Sequence, residues 1–244
     1  MKPLYLILPL LIIGCSAKAQ VAHQDVNAPQ DYLLHKLTAH DLVLFGTRHK
    51  TPSIHSLLTN LIPHLKGAGV THICLEIEAD QEGNFKISSL IDCPSYREMV
   101  KVAVEESGIK VVPVDLPQSM YKASVNRNEY MAQQIALVFK EHEGAKVFAI
   151  MGNLHVLKTL NWQDHVPNPC GSVFSYFGEL VPGKKTFSVV SCVDDPGRCD
   201  FARLSGPVAV DVDDGHSGWK IGFTSLIAIK PTRVSDLTDG VIVF

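Results

Sequence analysis

Four short segments carry residue types that perform acid–base chemistry: Gly46-Thr47-Arg48-His49, Leu75-Glu76-Ile77-Glu78, Val114-Asp115 and Gly152-Asn153-Leu154-His155. Two imidazoles with nearby carboxylates can activate water, and nitrogen and oxygen donors of this kind also suit a divalent metal ion. In such a site His49 is the general base, Glu76 orients it or serves as the acid, and His155 stabilises a developing oxyanion or shares a metal ion with His49. Glu78 falls on the same face as Glu76 if the strand extends that far. Like charges so placed would raise one carboxyl pKa and create an acid. Arg127, in Arg127-Asn128-Glu129-Tyr130, can pair with one of these carboxylates or hold an anionic group. His55 lies six residues past His49 and can face the same cleft. Each residue alone has an ordinary explanation, since loop histidines are often solvated and strand-end carboxylates often cap the next helix. Their recurrence at equivalent points is what singles them out.

The elements that must position them follow from the apolar pattern. Leu42–Phe45, Val70–Ile77, Ile109–Val114, Val147–Met151 and Thr186–Ser191 read as buried strands. Between them, helical spacing begins at Ile54 with Leu57, Leu58, Leu61 and Leu65, where Pro63 should shorten the helix. It recurs through Tyr96, Met99, Val100 and Ala103, through Met131, Ile135, Val138 and Phe139, and from Val173 to Leu180 before Pro182-Gly183. Repeated strand–helix units of this kind predict an α/β fold, a mostly parallel central sheet with helices on both faces. Residues 192–220 break the pattern and read as an irregular excursion, after which Phe223–Ile229 and Val241–Phe244 close the sheet. Ligands of open parallel sheets sit beyond the carboxyl ends of the strands, and that is where His49, Glu76, Asp115 and His155 fall.

The chain of 244 residues opens with Lys2, an apolar stretch from Leu4 to Ile13, and Ile12-Ile13-Gly14-Cys15. The stretch has the form of a secretory signal and is short for a membrane-spanning helix. Its end resembles the lipobox of bacterial lipoproteins, which implies a lipid on Cys15, a membrane partner held through that lipid, and a domain facing the periplasm or cell surface. Ser16 in place of Asp fits outer-membrane sorting in the enterobacterial pattern. The expected organisation is a signal at 1–14, a lipidated tether at 15–35 and a single domain at 36–244. Formal charge is −3 without a lysine or arginine cluster, which argues against a nucleic-acid partner. Cys192 and Cys199 bracket a turn-rich segment and are expected to be bridged. Cys74 reads as a buried free thiol, and Cys93 with Cys170 is a weaker second pair. No CxxC or Cys/His finger spacing supports structural zinc.

The motif order resembles one superfamily. Gly46-Thr47-Arg48-His49 is similar to the GxxH motif of the ChaN, TIKI and TraB proteins and the erythromycin esterases. Glu76, Asp115, Arg127-Asn128 with Met131-Ala132, and Gly152-Asn153-Leu154-His155 follow in that superfamily's order. The ChaN resemblance implies a haem-binding lipoprotein, with His155, His49 or Tyr121 as iron ligand and Arg127 available to a propionate. The esterase and TIKI resemblances imply instead a histidine/glutamate or metal-dependent hydrolase acting on a small molecule or peptide. Thr47-Arg48 stands where the esterases usually carry a Glu before the histidine, a departure from the esterase pattern. The reading that follows is a lipid-anchored haem-binding protein, with a hydrolase using the same pocket as the alternative.

Overall fold

Why these runs become strands is visible in their burial. The computed structural model describes residues 27–79, 84–121, 125–159, 171–192, 199–204, 206–216, 218–221 and 233–244. β1 (Leu42–Thr47) and β6 (Val147–Gly152) are buried at every position, as strands covered on both faces must be. Successive side chains feed two separate cores. Leu42 and Leu44 join Cys74, Val147, Ala149 and Val190 on one face. Val43 and Phe45 join Ile73, Phe148, Ile150 and Val189 on the other.

The helices divide between those cores. α1 (Pro29–Ala39), α2 (Pro52–Leu61) and α3 (Pro94–Glu105) cover the second face through Leu33, Leu37, Leu58, Met99 and their neighbours. α4 (Arg127–Glu141) and α6 (Val173–Leu180) cover the first through Met131, Ile135, Phe139 and Phe177. A single helical turn, α5 (Asn153–Val156), follows β6 directly. The remaining strands are β2 (His72–Leu75), the short pair β3 (Glu78–Ala79) and β4 (Phe85–Lys86), β5 (Lys110–Pro113), β7 (Thr186–Cys192), β8 (Val208–Asp211) and β9 (Gly240–Val243). The seven-stranded sheet runs β5-β2-β6-β1-β7-β9-β8. Every pairing in it is parallel except β8 against β9. The α/β expectation, a mostly parallel sheet with helices on both faces, therefore holds.

Local sequence explains the element ends. Pro63 ends α2 as expected: the chain tightens into a 3-10 segment, Ile62–Ala68, and stops at Gly69 with φ +83°. β2 is shorter than the apolar run Val70–Ile77 because the Ile77 amide hydrogen-bonds back to the Leu75 carbonyl at 2.8 Å. That tight turn at Glu76 ends the pleat. The excursion after β7 is not wholly irregular. It holds the Cys192–Cys199 disulfide expected from the sequence, two 3-10 turns and the antiparallel edge strand β8. Phe201, His216 and Trp219 pack face and edge against one another there. The boundary at residue 36 falls inside α1. Residues 29–35 are helical, with Tyr32 and Leu33 buried, and Asn27 pairs with Ala209 of β8. Proline at the first helical position and an apolar face against β1 make that stretch a helix rather than a tether. Phe223–Ile229, Cys15 and Cys170 lie outside the described residues. Among the described residues no helix is long and apolar enough to cross a membrane.

Candidate functional site

Four neighbouring strands, β5, β2, β6 and β1, deliver Asp115, Glu76, His155 and His49 beyond their carboxyl ends. Arg127 is the hub between them. Asn126 caps α4 by accepting from the Asn128 and Glu129 amides, which is worth about 1 kcal/mol. Arg127 thus becomes the first helical residue, aimed back over the sheet edge. Its Nε and Nη2 donate to the two oxygens of Asp115 at 2.7 and 2.9 Å. Nη2 also donates to Glu76 Oε1 at 2.5 Å, and Nη1 lies 3.2 Å from His155 Nε2. Of the five guanidinium hydrogens, one on Nη1 is left uncommitted among the described residues. The Arg127 side chain keeps 28% of its surface exposed, against 3% for Glu76.

Glu76 is saturated and charged. Its second oxygen accepts the Gly152 amide at 2.6 Å. Burial pushes its carboxyl up, but His155, Arg127 and the Gly152 amide more than offset burial and hold it well below the usual carboxylate range. The expectation that a Glu76/Glu78 pair yields an acid is therefore corrected. The turn at Glu76 sends Glu78 onto β3, where it accepts the Gln118 amide at 3.1 Å and faces Lys86 at 3.8 Å. Glu78 lies on the hairpin rather than beside Glu76. Asp115 lies with the group, 5% exposed.

His155 is held at both nitrogens. Asn128 donates through Nδ2 to the Gly171 carbonyl at 2.8 Å, so its Oδ1 faces His155 Nδ1 at 2.6 Å. A hydrogen of His155 therefore resides on Nδ1, and Nε2 lies 3.2 Å from Arg127 Nη1 and 3.5 Å from Glu76 Oε1. Asn128 sits on the stripe of α4 that otherwise carries Met131, Ala132, Ile135 and Phe139. A buried amide on an apolar stripe is the signal that marks it, and sequence reasoning gave it no role. Asn153 was also passed over. It grips β7, donating to the Ser191 carbonyl at 2.9 Å and accepting the Ser191 amide at 3.0 Å. Gly46 makes this possible: a Cβ there would meet Asn153 Cα at 2.9 Å and Val156 Cγ2 at 2.8 Å.

His49 differs from the rest. It follows β1 in a turn where Lys50 adopts φ +56°, the left-handed region, at a cost of roughly 1–2 kcal/mol. Strain of this kind next to an ionisable group is a mark of functional sites. The ring leans on Gly152, where a Cβ would lie 3.2 Å from His49 Cε1 and 3.5 Å from His155 Cδ2. Both imidazoles thus flank one glycine. His49 Nδ1 is buried without a hydrogen-bond partner among the described residues. Burial lowers the proton affinity of the ring. Glu76 opposes this, while His155, Arg127 and Lys50 add to it, and the balance lies below the usual value of 6.5. His49 is a neutral imidazole at pH 7.

Two expected candidates fall to the margin. Tyr121 is 53% exposed at the end of a 3-10 turn, and burial of its hydroxyl, with Asp115, Glu78 and Glu76 near, raises its pKa despite Arg127. His55 lies inward, 1% exposed, bonded to Ser95. Among the described residues no three His, Cys, Asp or Glu side chains converge to hold a metal ion. The shared site expected at His49 and His155 has a physical obstacle: Arg127 already neutralises the negative charge that Glu76 and Asp115 would offer a cation.

No protein-family model and no curated protein sequence matches the chain. Several solved structures share its fold. ChaN of Campylobacter jejuni, which binds haem cofacially, superposes with a TM-score of 0.51 at 12% identity, over 87% of this chain and 90% of that one. A mutant of erythromycin esterase EreC in its open conformation gives 0.54 at 9% identity, over 87% and 92%. A Bacillus cereus protein gives 0.54 at 12% identity, over 89% and 92%. The likeness shows the fold alone, one found also in a haem-binding protein and in an esterase.

Proposed function

We propose that the protein is a hydrolase in which His49 activates water and Arg127 steadies the negative charge that develops on the attacked group. The observation that carries this reading is the Nη1 hydrogen of Arg127 left uncommitted among the described residues. The guanidinium that bears it is fixed by four hydrogen bonds and is close enough to His49 to lower its proton affinity. A pre-oriented donor beside a neutral imidazole is what acyl transfer to water requires.

In this scheme His49 Nε2, the nitrogen that is not buried, takes a proton from water as the oxygen attacks an ester carbonyl. The oxyanion forms against Arg127. The proton then passes from His49 to the leaving oxygen. Glu76, ionised and saturated, positions Arg127 and does not serve as the acid. His155, held between Asn128, Arg127 and Glu76, serves to position Arg127. Hydrolysis of a panel of activated esters by the purified domain tests the scheme. His49→Ala is expected to lower kcat about 10²–10⁴-fold with little change in fold. Equal activity of the variant would refute the assignment.

Haem binding is the second reading, favoured by the half-exposed neutral imidazole of His49. The other expected ligands fit poorly: His155 is engaged at both nitrogens, Arg127 is committed to carboxylates, and the Tyr121 phenol is held protonated. A haem titration settles it, since saturable binding lost in His49→Ala would displace the hydrolase reading. Anchoring through a lipid on Cys15, with the domain facing the periplasm or cell surface of a bacterium, is part of the same proposal. Palmitate labelling lost in Cys15→Ser tests it.

A further inference from the structure

A second group of reactive side chains lies where α2 and α3 meet. Cys93 Sγ is 3.4 Å from Ser95 Oγ and 3.7 Å from His55 Nδ1, and Ser95 Oγ is 2.8 Å from that same nitrogen. None of the three takes part in the Arg127 network. His55 is buried and oriented by the edge of the Tyr96 ring, whereas Cys93 is half-buried and reachable. The thiol occupies the cap position of the twelve-residue α3, and its side chain makes no capping hydrogen bond. Nucleophile, hydroxyl and base thus form a chain in which a proton can move from sulfur to Ser95 Oγ as the Ser95 proton moves to His55 Nδ1.

We propose that Cys93 is a modification site that forms mixed disulfides with low-molecular-weight disulfides, with Ser95 and His55 as its proton relay. The thiolate sulfur attacks one sulfur of the incoming disulfide and a new S–S bond forms. The original S–S bond breaks, and the departing thiolate takes up the proton held on His55. No further oxidant is needed, because the disulfide itself is the oxidant. The first turn of α3 supplies the positive end of a helix to the thiolate. Burial, with His49 as a second influence, lowers the proton affinity of His55 and keeps it free to accept at pH 7. Cys74 offers the contrast: fully buried, its thiol is pushed up to about 12, so it stays inert. This site stands apart from the hydrolase reading and survives its failure.

The test incubates the full chain with oxidised glutathione at pH 7 and maps adducts by peptide mass, with the rate followed in parallel using an aromatic disulfide. The expected result is a fast adduct on Cys93, absent in Cys93→Ser. His55→Asn should slow it at least about tenfold. Ser95→Ala, on the half-exposed side of the relay, should slow it severalfold and serves if His55→Asn does not fold. The proposal is overturned if Cys93 reacts no faster than a free cysteine peptide, if neither variant changes the rate, or if Cys93 is found bridged to Cys170.

Discussion

Arg127→Met removes the guanidinium shared by two buried carboxylates while keeping most of the side-chain volume. Glu76 and Asp115 are then left with 3% and 2% of their side-chain surface exposed and no cation between them. Breaking a buried ion pair from one side costs about 3–5 kcal/mol, because the remaining charge stays desolvated. For a domain of this size each kcal/mol moves Tm by about 2–4 °C, so the loss should be roughly 6–20 °C. The pH dependence identifies the cause. In the native protein the Glu76 carboxyl is held below its ordinary value of 4.5, so its contribution is present above that pH and lost as pH falls. Without Arg127, one of the groups that oppose burial is lost while His155 and the Gly152 amide remain, so the Glu76 carboxyl moves up from its native position. The variant then has less stability to lose on acidification, and its deficit should hold steady near neutral pH and shrink as pH falls below 4.5. Urea unfolding at about pH 7 and at about pH 4 measures it. A deficit under about 1 kcal/mol, or one that stays constant on acidification, would show that Arg127 is not the hub described above.

Gly152→Ala places a Cβ 3.2 Å from His49 Cε1; ester hydrolysis should fall more than tenfold for about 1–2 kcal/mol of stability, and unchanged activity would mean His49 need not rest there. Burial first, with neighbouring positive charge, lowers the proton affinities of His49, His55 and His72 below 6.5. Stability should therefore decline as pH falls below 6.5, with a further loss below 4.5 from Glu76, and an urea midpoint that does not move between pH 7.5 and 5.5 would refute this. For the same reason kcat/KM should be flat above pH 6.5 and fall only below it; an essential group titrating above 7 would rule out neutral His49 as the base. Cys192 and Cys199 are seven residues apart, and closing so short a loop is worth about 2.5 kcal/mol. Their replacement by serine should lower stability by about that amount while leaving ester hydrolysis intact, and lost hydrolysis would tie the excursion to the site.

The apolar runs and the breaks between them made the central strands legible, because β1 and β6 are buried on both faces and carry unbroken apolar stretches. The strand-end residues followed from that, and His49, Glu76, Asp115, Arg127 and His155 meet. What stayed hidden was decided by single hydrogen bonds. The Ile77-to-Leu75 turn that parts Glu78 from Glu76 leaves no mark in residue type. The charge state of Glu76 depends on Arg127 arriving from a helix 51 residues away. α1 was missed because Gln30, Asp31, His35 and Lys36 mask an apolar face that reads clearly only once Leu33 and Leu37 are seen against Val43 and Phe45. β8 was missed because a four-residue edge strand among Gly, Pro and Asp gives too short a pattern to count.

The order of the sheet separates two kinds of strand. β5, β2, β6 and β1 are adjacent and end in ionisable groups, while β7, β9 and β8 follow as a block, tied across by Asn153 gripping Ser191. The ionisable groups therefore gather at one half of the sheet, and the disulfide and the antiparallel edge strand at the other. The Asn153–Ser191 hydrogen bonds join the halves at the strand ends, so a strain introduced in one half has a defined place to enter the other.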